Sequence, residues 1–121
     1  MAKIQKSNEQ NMIDTDNRDK YVNGRPVFNA ENWEGVCRYA NCYAYAMNVT
    51  TVKENIHLSP GMVSNQDTNY GQYTIEKLKR IFMEYIKADI QTGKMGNATD
   101  FIPCEENTPL GENEYRVALA F

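Results

Sequence analysis

The cysteine in the stretch Ala-Asn-Cys-Tyr-Ala-Tyr-Ala-Met-Asn is the residue of this chain best placed to do chemistry. Cys42 directly follows Asn41, a good N-cap residue, at the start of a segment that tolerates a helix. Unpaired backbone N–H groups and the positive end of the helix dipole favour a thiolate at that position. The same N–H groups would stabilise a developing oxyanion. The pattern therefore predicts Cys42 as a candidate nucleophile, with Asn41 as helix cap and oxyanion support.

A cysteine nucleophile needs a histidine base within hydrogen-bond reach, and the chain contains one histidine, His57. His57 follows Cys42 closely and stands just before a Pro-Gly turn, whereas a catalytic histidine normally comes from a distant strand. Cys42 and the N–H groups at the helix start therefore provide the nucleophile and the oxyanion donors of a cysteine hydrolase, but not its histidine base. The competing interpretation is that Cys42 is a small core residue, because free cysteine is among the most buried residue types.

Two further cysteines, Cys37 and Cys104, bring the total to three, so at least one is free or pairs with another chain. A structural disulfide from Cys37 or Cys42 to Cys104 is an open alternative. The spacing matches no metal-binding pattern, and the paired Cys or His residues of a zinc site are missing. We therefore expect neither a metal nor a cofactor.

Two Asn-Xaa-Thr sequons begin at Asn48 and Asn97. Such sequons are acceptors for N-linked glycans, and they matter only outside the cytosol. Both asparagines are therefore candidate glycosylation sites if the chain is secreted.

The elements that must position Cys42 include one long amphipathic helix. Thr74 is a suitable N-cap for this helix, and Gly93 stands just past its end. The apolar residues between them recur at helical spacing: Ile75, Leu78, Ile81, Phe82, Tyr85, Ile86 and Ile90. The opposite face is charged, which predicts that it faces solvent.

Shorter elements precede and follow this helix. A short helix is predicted over about residues 42–48, and the β-branched run that follows ends it. Residues 99–104 predict a short strand with its proline at a sheet edge, and residues 115–121 predict a buried strand. The expected fold is α+β: the short Cys-bearing helix and the long helix packed on a small antiparallel sheet.

Composition defines the organisation of the chain. Residues 1–26 are rich in Asn, Asp, Lys and Gln, so we predict a mobile polar arm there and a single α+β domain over residues 27–121.

A net charge of -3 without a basic cluster argues against a nucleic-acid partner. The longest wholly apolar run, residues 117–121, is too short to cross a bilayer, so no membrane partner is expected. The N-terminus has no secretory signal as written.

The segment Asn-Cys-Tyr-Ala-Tyr-Ala-Met-Asn, the Pro60-Gly61 turn and the run Tyr-Arg-Val-Ala-Leu-Ala-Phe resemble a small group of papain-like domains. The signature of that group has leucine where this chain has Met47, a volume-conserving change. In that group the strand matching residues 115–121 leads to a His-aromatic-Tyr-Arg stretch and a Trp-Ser-His-Lys segment, and neither is present here. The resemblance covers about residues 30–121. It implies a papain-like domain truncated at its C-terminal end, with Cys42 as the only matched catalytic position.

Within this group, the run over residues 23–52 is similar to the insoluble matrix shell proteins of calcified mollusc shells. That resemblance implies a secreted structural component of the insoluble organic shell matrix, without established enzymatic activity. The partners it implies are calcium carbonate mineral or other matrix proteins. Ordinary solubility is a simpler explanation of the surface carboxylates, since the chain has no calcium loop.

The alternative function is a papain-like cysteine peptidase or amidase. In that alternative Cys42 is the nucleophile, and its histidine lies beyond the end of this chain.

Overall fold

The structure is a computed structural model, and it describes residues 1–6, 19–22, 24–50 and 57–119. In chain order the elements are β1 (Ala2–Lys6), β2 (Lys20–Val22), β3 (Arg25–Val27), α1 (Ala30–Trp33), α2 (Cys42–Ala46), a 3₁₀ turn (Tyr70–Gln72), α3 (Ile75–Gln91), β4 (Ala98–Pro103) and β5 (Glu114–Val117). This part of the chain is a small mixed α and β domain with three α-helices and a small antiparallel sheet.

β1 is the central strand of a three-stranded antiparallel sheet with the order β4-β1-β5. Ile4 pairs with Phe101 of β4 on one side and with Tyr115 of β5 on the other. Ala2 and Ile4 are both 0% exposed, and the residues between the buried positions of β1 are half-buried. This alternation is that of a strand with one face on the core.

The prediction of a mobile polar arm over residues 1–26 is therefore wrong for residues 2–6, and the folded domain includes them rather than starting at residue 27. The prediction is also wrong for residues 20–22, which form a hairpin with residues 25–27. β1 has few apolar residues, and its burial comes from strands at the other end of the chain, so local composition could not reveal it. Residues 7–18 and 23 of the predicted arm lie outside the described residues.

The long helix is confirmed as α3. The Thr74 hydroxyl oxygen accepts a hydrogen bond from the Lys77 backbone N–H at 3.2 Å, and Gly93 ends the helix with a φ of +77°. Ile86 and Ile90 are buried on its inner face. Ile75, in the first turn, is exposed despite its helical spacing with the core residues.

One hydrophobic core lies between α3, the inner face of the sheet and the end of α2. It consists of Ala2, Ile4, Met47, Val49, Ile86, Ile90, Met95, Phe101 and Tyr115. Trp33 is buried outside this cluster, in α1. The core thus draws on residues from both ends of the described chain.

The two predicted C-terminal strands have different outcomes. The strand predicted at residues 99–104 is confirmed as β4, an edge strand whose last residue is Pro103. The strand predicted at residues 115–121 is shorter: β5 ends at Val117, residues 118–119 are not in a strand, and residues 120–121 lie outside the described residues. Within β5 only Tyr115 is buried, because β5 is the other edge of the sheet.

Replacing Ile4 with Ala tests whether β1 belongs to the core. Ile4 is fully buried, so we expect Ile4→Ala to lower the free energy of unfolding by about 2–4 kcal/mol. The matched control is Ile75→Ala, because Ile75 is 62% exposed, and its effect should stay within about 0.5 kcal/mol. Urea unfolding followed by circular dichroism measures both. Equal effects of the two substitutions would contradict the placement of β1.

Candidate functional site

Cys42 occupies the first residue of α2, directly after the helix cap. Asn41 has an extended backbone, and its side-chain oxygen accepts a hydrogen bond from the Ala44 backbone N–H at 3.0 Å. The prediction that Asn41 caps this helix is therefore confirmed. The Asn41 side-chain nitrogen donates to the Leu58 carbonyl oxygen at 2.6 Å, so both polar ends of the amide hold structure. Oxyanion support at this site would therefore come from backbone N–H groups.

The Cys42 side chain is exposed, so the interpretation of Cys42 as a core residue is wrong. The inward positions of α2 and its C-cap are taken by Ala44 and Met47, which are both buried. Cys42 is instead a surface residue in the first turn of the helix, where the Ala44 N–H is already bonded to Asn41 and the Cys42 and Tyr43 N–H groups have no partner inside the helix.

No histidine is joined to this cysteine in the structure. His57 is exposed, and no hydrogen bond links it to Cys42 within the described residues. The bond from the Asn41 side chain to the Leu58 carbonyl brings the chain next to His57 against the start of α2, but no hydrogen bond joins His57 to the cysteine among the described residues.

A buried carboxylate lies behind α2. Asp89 of α3 is 0% exposed and accepts a hydrogen bond from the Tyr43 hydroxyl at 2.7 Å. It also accepts bonds from the Gly61 backbone N–H at 2.9 Å, and from the Ser64 backbone N–H and hydroxyl at 2.9 and 2.6 Å. These four donors satisfy the carboxylate, which removes the penalty of burying an unpaired charge. Asp89 therefore joins α3, α2 and the turn at residues 60–64.

Sequence reasoning missed Asp89, although its position carries a signal. Asp89 lies between Ile86 and Ile90 on the buried face of α3, where a charged residue interrupts an apolar stripe.

Gly61 shows how closely the turn approaches α3: it has a φ of +94°, and a Cβ there would lie 2.6 Å from the Tyr85 ring. Only glycine fits that conformation and that space without strain.

Two tyrosines packed against the core, Tyr43 of α2 and Tyr21 of β2, have raised pKa values. Burial raises the pKa of the Tyr43 hydroxyl far above its usual range, and the hydrogen bond to Asp89 and the charge of Asp89 raise it further. Burial also raises the pKa of Tyr21 to about 12, and its ring stacks on Tyr115 with 4.0 Å between centroids. The Tyr115 hydroxyl in turn donates to the Ala46 carbonyl oxygen at 3.1 Å, which fixes the end of α2.

A second buried carboxylate, Asp19, holds α1. It accepts hydrogen bonds from the Trp33 indole N–H at 2.9 Å and the Asn32 side chain at 2.8 Å. The Asn29 backbone N–H donates to it as well, at 3.1 Å. Asp19 therefore connects α1 to the chain just before β2.

The glycosylation candidate Asn48 is buried in the folded chain. Its side chain is 3% exposed, and its nitrogen donates to the Asp19 carbonyl oxygen at 2.6 Å while its oxygen accepts from the Asp19 N–H at 3.0 Å. A glycan is attached to that nitrogen, so at this buried position it would fit only if the residues packed around Asn48 moved apart. Glycosylation at Asn48 stays a prediction. Asn97 is half-buried in the turn before β4, and glycosylation there stays a prediction.

The three cysteines are all free in the structure, so the disulfide alternative is not realised in it. Cys37 and Cys42 are exposed, and Cys104 is half-buried.

The described residues contain no group of three or more His, Cys, Asp or Glu side chains that could hold a metal ion. None of the helices in the described ranges is long and apolar enough to cross a bilayer.

Tyr43→Phe tests the bond between α2 and Asp89. Loss of the hydroxyl should lower the free energy of unfolding at pH 7 by about 1–3 kcal/mol, because a buried carboxylate loses a donor. Folding raises the pKa of Tyr43, so the Tyr43 hydroxyl contributes fully to the free energy of unfolding below the pKa of the unfolded state, which is about 10. That contribution is lost as the pH rises above this value. The stability gap between wild type and Tyr43→Phe should therefore narrow above about pH 10.

The matched control is Tyr45→Phe on the same helix, since Tyr45 is 41% exposed. Its effect should be within about 0.5 kcal/mol at each pH. Chemical unfolding between pH 7 and 11 measures both variants, and a gap that widens with pH would contradict the assignment.

Comparison of the chain with protein-family models, with curated proteins and with solved structures finds no match. The function proposed below therefore depends on the motif resemblance described in the sequence analysis and on the geometry of the described residues.

Proposed function

We propose that this chain is a structural component of a secreted, mineral-associated matrix of the kind found in calcified shell, built on a papain-like domain. The similarity of residues 23–52 to insoluble matrix shell proteins and the motif around Cys42 support the proposal. In this role the domain contacts calcium carbonate or other matrix proteins through its surface, and it needs no catalytic activity.

The observation that carries the proposal is the acidic connection between β4 and β5. Glu105, Glu106 and Glu112 are exposed in it, and residues 104–113 contain no lysine or arginine. None of the three forms a salt bridge with a described residue, whereas Glu114 at the start of β5 pairs with Lys3 at 3.1 Å. The Arg116 guanidinium donates to the Thr108 carbonyl oxygen of this connection, but it forms no salt bridge with these three carboxylates. Their negative charge is therefore available to cations at a mineral surface.

This connection also has internal order. The Thr108 hydroxyl accepts a hydrogen bond from the Glu105 backbone N–H at 2.9 Å, and the Thr108 N–H donates back to the Glu105 carbonyl at 3.2 Å. A defined turn presents its carboxylates with a smaller loss of conformational entropy on binding than a random segment would. Adjacent carboxylates on such a turn suit adsorption to an ionic lattice.

Adsorption to calcite separates this role from ordinary solubility. We expect the double variant Glu105→Gln/Glu106→Gln to bind calcite particles several-fold more weakly than wild type, because two uncompensated charges are lost. The matched control is Glu76→Gln/Glu84→Gln, with the same charge change on the outer face of α3, where lysines and arginines alternate with the glutamates. Depletion of protein from solution by calcite, at fixed ionic strength, measures the affinity. Equal weakening by both double variants would show that only net charge matters.

A second candidate function, a cysteine peptidase or amidase, is favoured by the exposure of Cys42 at the first turn of α2. Because α2 has five residues, its effect on the thiol comes from the nearby backbone N–H groups rather than from a long helix dipole. In this proposal those groups also hold the oxyanion, and a histidine outside residues 1–121 is the base.

Alkylation by iodoacetamide tests whether Cys42 is an activated thiol. We expect Cys42 to react faster than Cys37 or Cys104 near neutral pH, because only Cys42 lies at a capped helix start. Asn41→Ala removes the cap, should cost about 1 kcal/mol of stability, and should slow Cys42 several-fold. Peptide-resolved mass spectrometry follows the three sites separately.

The matched control is Asn29→Ala, which removes the equivalent asparagine cap of α1 and should leave the Cys42 rate unchanged. His57→Ala should also leave it unchanged. Uniform reaction of all three cysteines would count against the hydrolase candidate, and slowing by His57→Ala would assign the base to His57.

A further inference from the structure

A groove on the surface of the domain lies along α1. It is lined by Phe28, Ala30, Glu31, Trp33, Glu34 and Cys37, and its volume is about 400 Å³. Ligand pockets are usually about 300–1,000 Å³ and are lined mainly by apolar side chains. This groove is therefore large enough for a short segment of another molecule.

Aromatic side chains form the apolar part of the groove and continue onto α2. Phe28 is 61% exposed, whereas Trp33 is buried beneath the surface. Tyr45 of α2 contacts both rings, with centroid distances of 6.4 Å to Phe28 and 5.3 Å to Trp33. An exposed ring that continues a supported aromatic cluster is typical of the anchor positions of protein interfaces.

Hydrogen bonds within the domain hold the groove in shape. Asp19 binds the Trp33 indole N–H and the Asn32 side chain, and the Asn29 side chain caps α1 through the Glu31 N–H at 3.1 Å. A surface that is already ordered has less conformational entropy to lose when a partner binds. The wall of the groove is therefore preorganised.

The charged side chains that line the groove are both acidic. Glu31 and Glu34 are exposed, and neither forms a salt bridge with a residue in the described ranges. Glu31 lies in the first turn of α1, and Glu34 is its C-cap residue. These two exposed carboxylates give the apolar groove an acidic rim.

We propose that this groove binds a peptide segment in which a large apolar side chain is flanked by lysine or arginine. The apolar side chain contacts Phe28 over Trp33, and the basic residues pair with Glu31 and Glu34. This inference does not depend on the matrix role or on Cys42, because the acidic connection between β4 and β5 is a separate surface.

The full chain is titrated with acetyl-Lys-Leu-Leu-Lys-amide and with the acidic counterpart acetyl-Glu-Leu-Leu-Glu-amide. Trp33 is the only tryptophan, so its fluorescence reports on the groove directly. We expect a saturable change with the basic peptide that weakens with added salt, and no change with the acidic one. Equal binding of the two peptides, or no binding of either, would overturn the proposal.

Two substitutions and their matched controls locate the binding. Phe28→Ser and Glu34→Gln should each weaken the basic peptide about tenfold, since each removes one part of the recognition. Ile75→Ser and Glu84→Gln change equally exposed residues of α3 and should have no effect. Equal losses in the α3 variants would contradict the assignment to the groove.

Protection of Cys37 gives a second measurement that does not depend on fluorescence. Bound basic peptide should slow alkylation of Cys37, which lines the groove, and leave Cys104 unaffected. Sedimentation of the free chain tests the other occupant, a second copy. Self-association that Phe28→Ser abolishes would assign the groove to that copy and overturn the peptide proposal.

Discussion

The buried Asp89 carboxylate is the interaction on which the geometry of this domain depends. It lies on the inner face of α3 at 0% exposure, and its four donors come from two other parts of the chain. Removing one partner of such a group leaves charge unpaired in a medium of low dielectric constant, which costs more than the bond contributes. The arrangement therefore tolerates few alternatives, and α2, the turn at residues 60–64 and α3 keep fixed positions relative to one another.

The position of Cys42 follows from this constraint. Tyr43 is fixed to Asp89, Ala44 faces the core and the end of α2 is bonded to Tyr115, so the rotation of this short helix is determined. Cys42 and Tyr45 are left on the outside. A five-residue helix could not hold this orientation by propensity alone. The exposed thiol and the position of the Tyr45 ring beside Phe28 and Trp33 thus follow from the same polar anchoring.

Much of the local structure could be predicted from the sequence. The apolar period, Thr74 and Gly93 defined α3, Asn41 predicted the cap of α2, and the proline at residue 103 indicated an edge strand. These signals are local, since each depends on residues within a few positions along the chain. The prediction for residues 1–6 was wrong because a strand with two apolar side chains is stabilised by its neighbours in the sheet rather than by its own composition.

The sequence by itself determined α2 and α3, the residue at which each begins, and that a cysteine follows a helix cap, whereas it did not indicate α1. Only the tertiary structure decided that Cys42 is exposed, that Asn48 is bonded to Asp19, and that Asp89 joins three segments. The physical reason is that burial and hydrogen-bond pairing of polar groups depend on residues far apart in the chain, whose meeting no local pattern encodes.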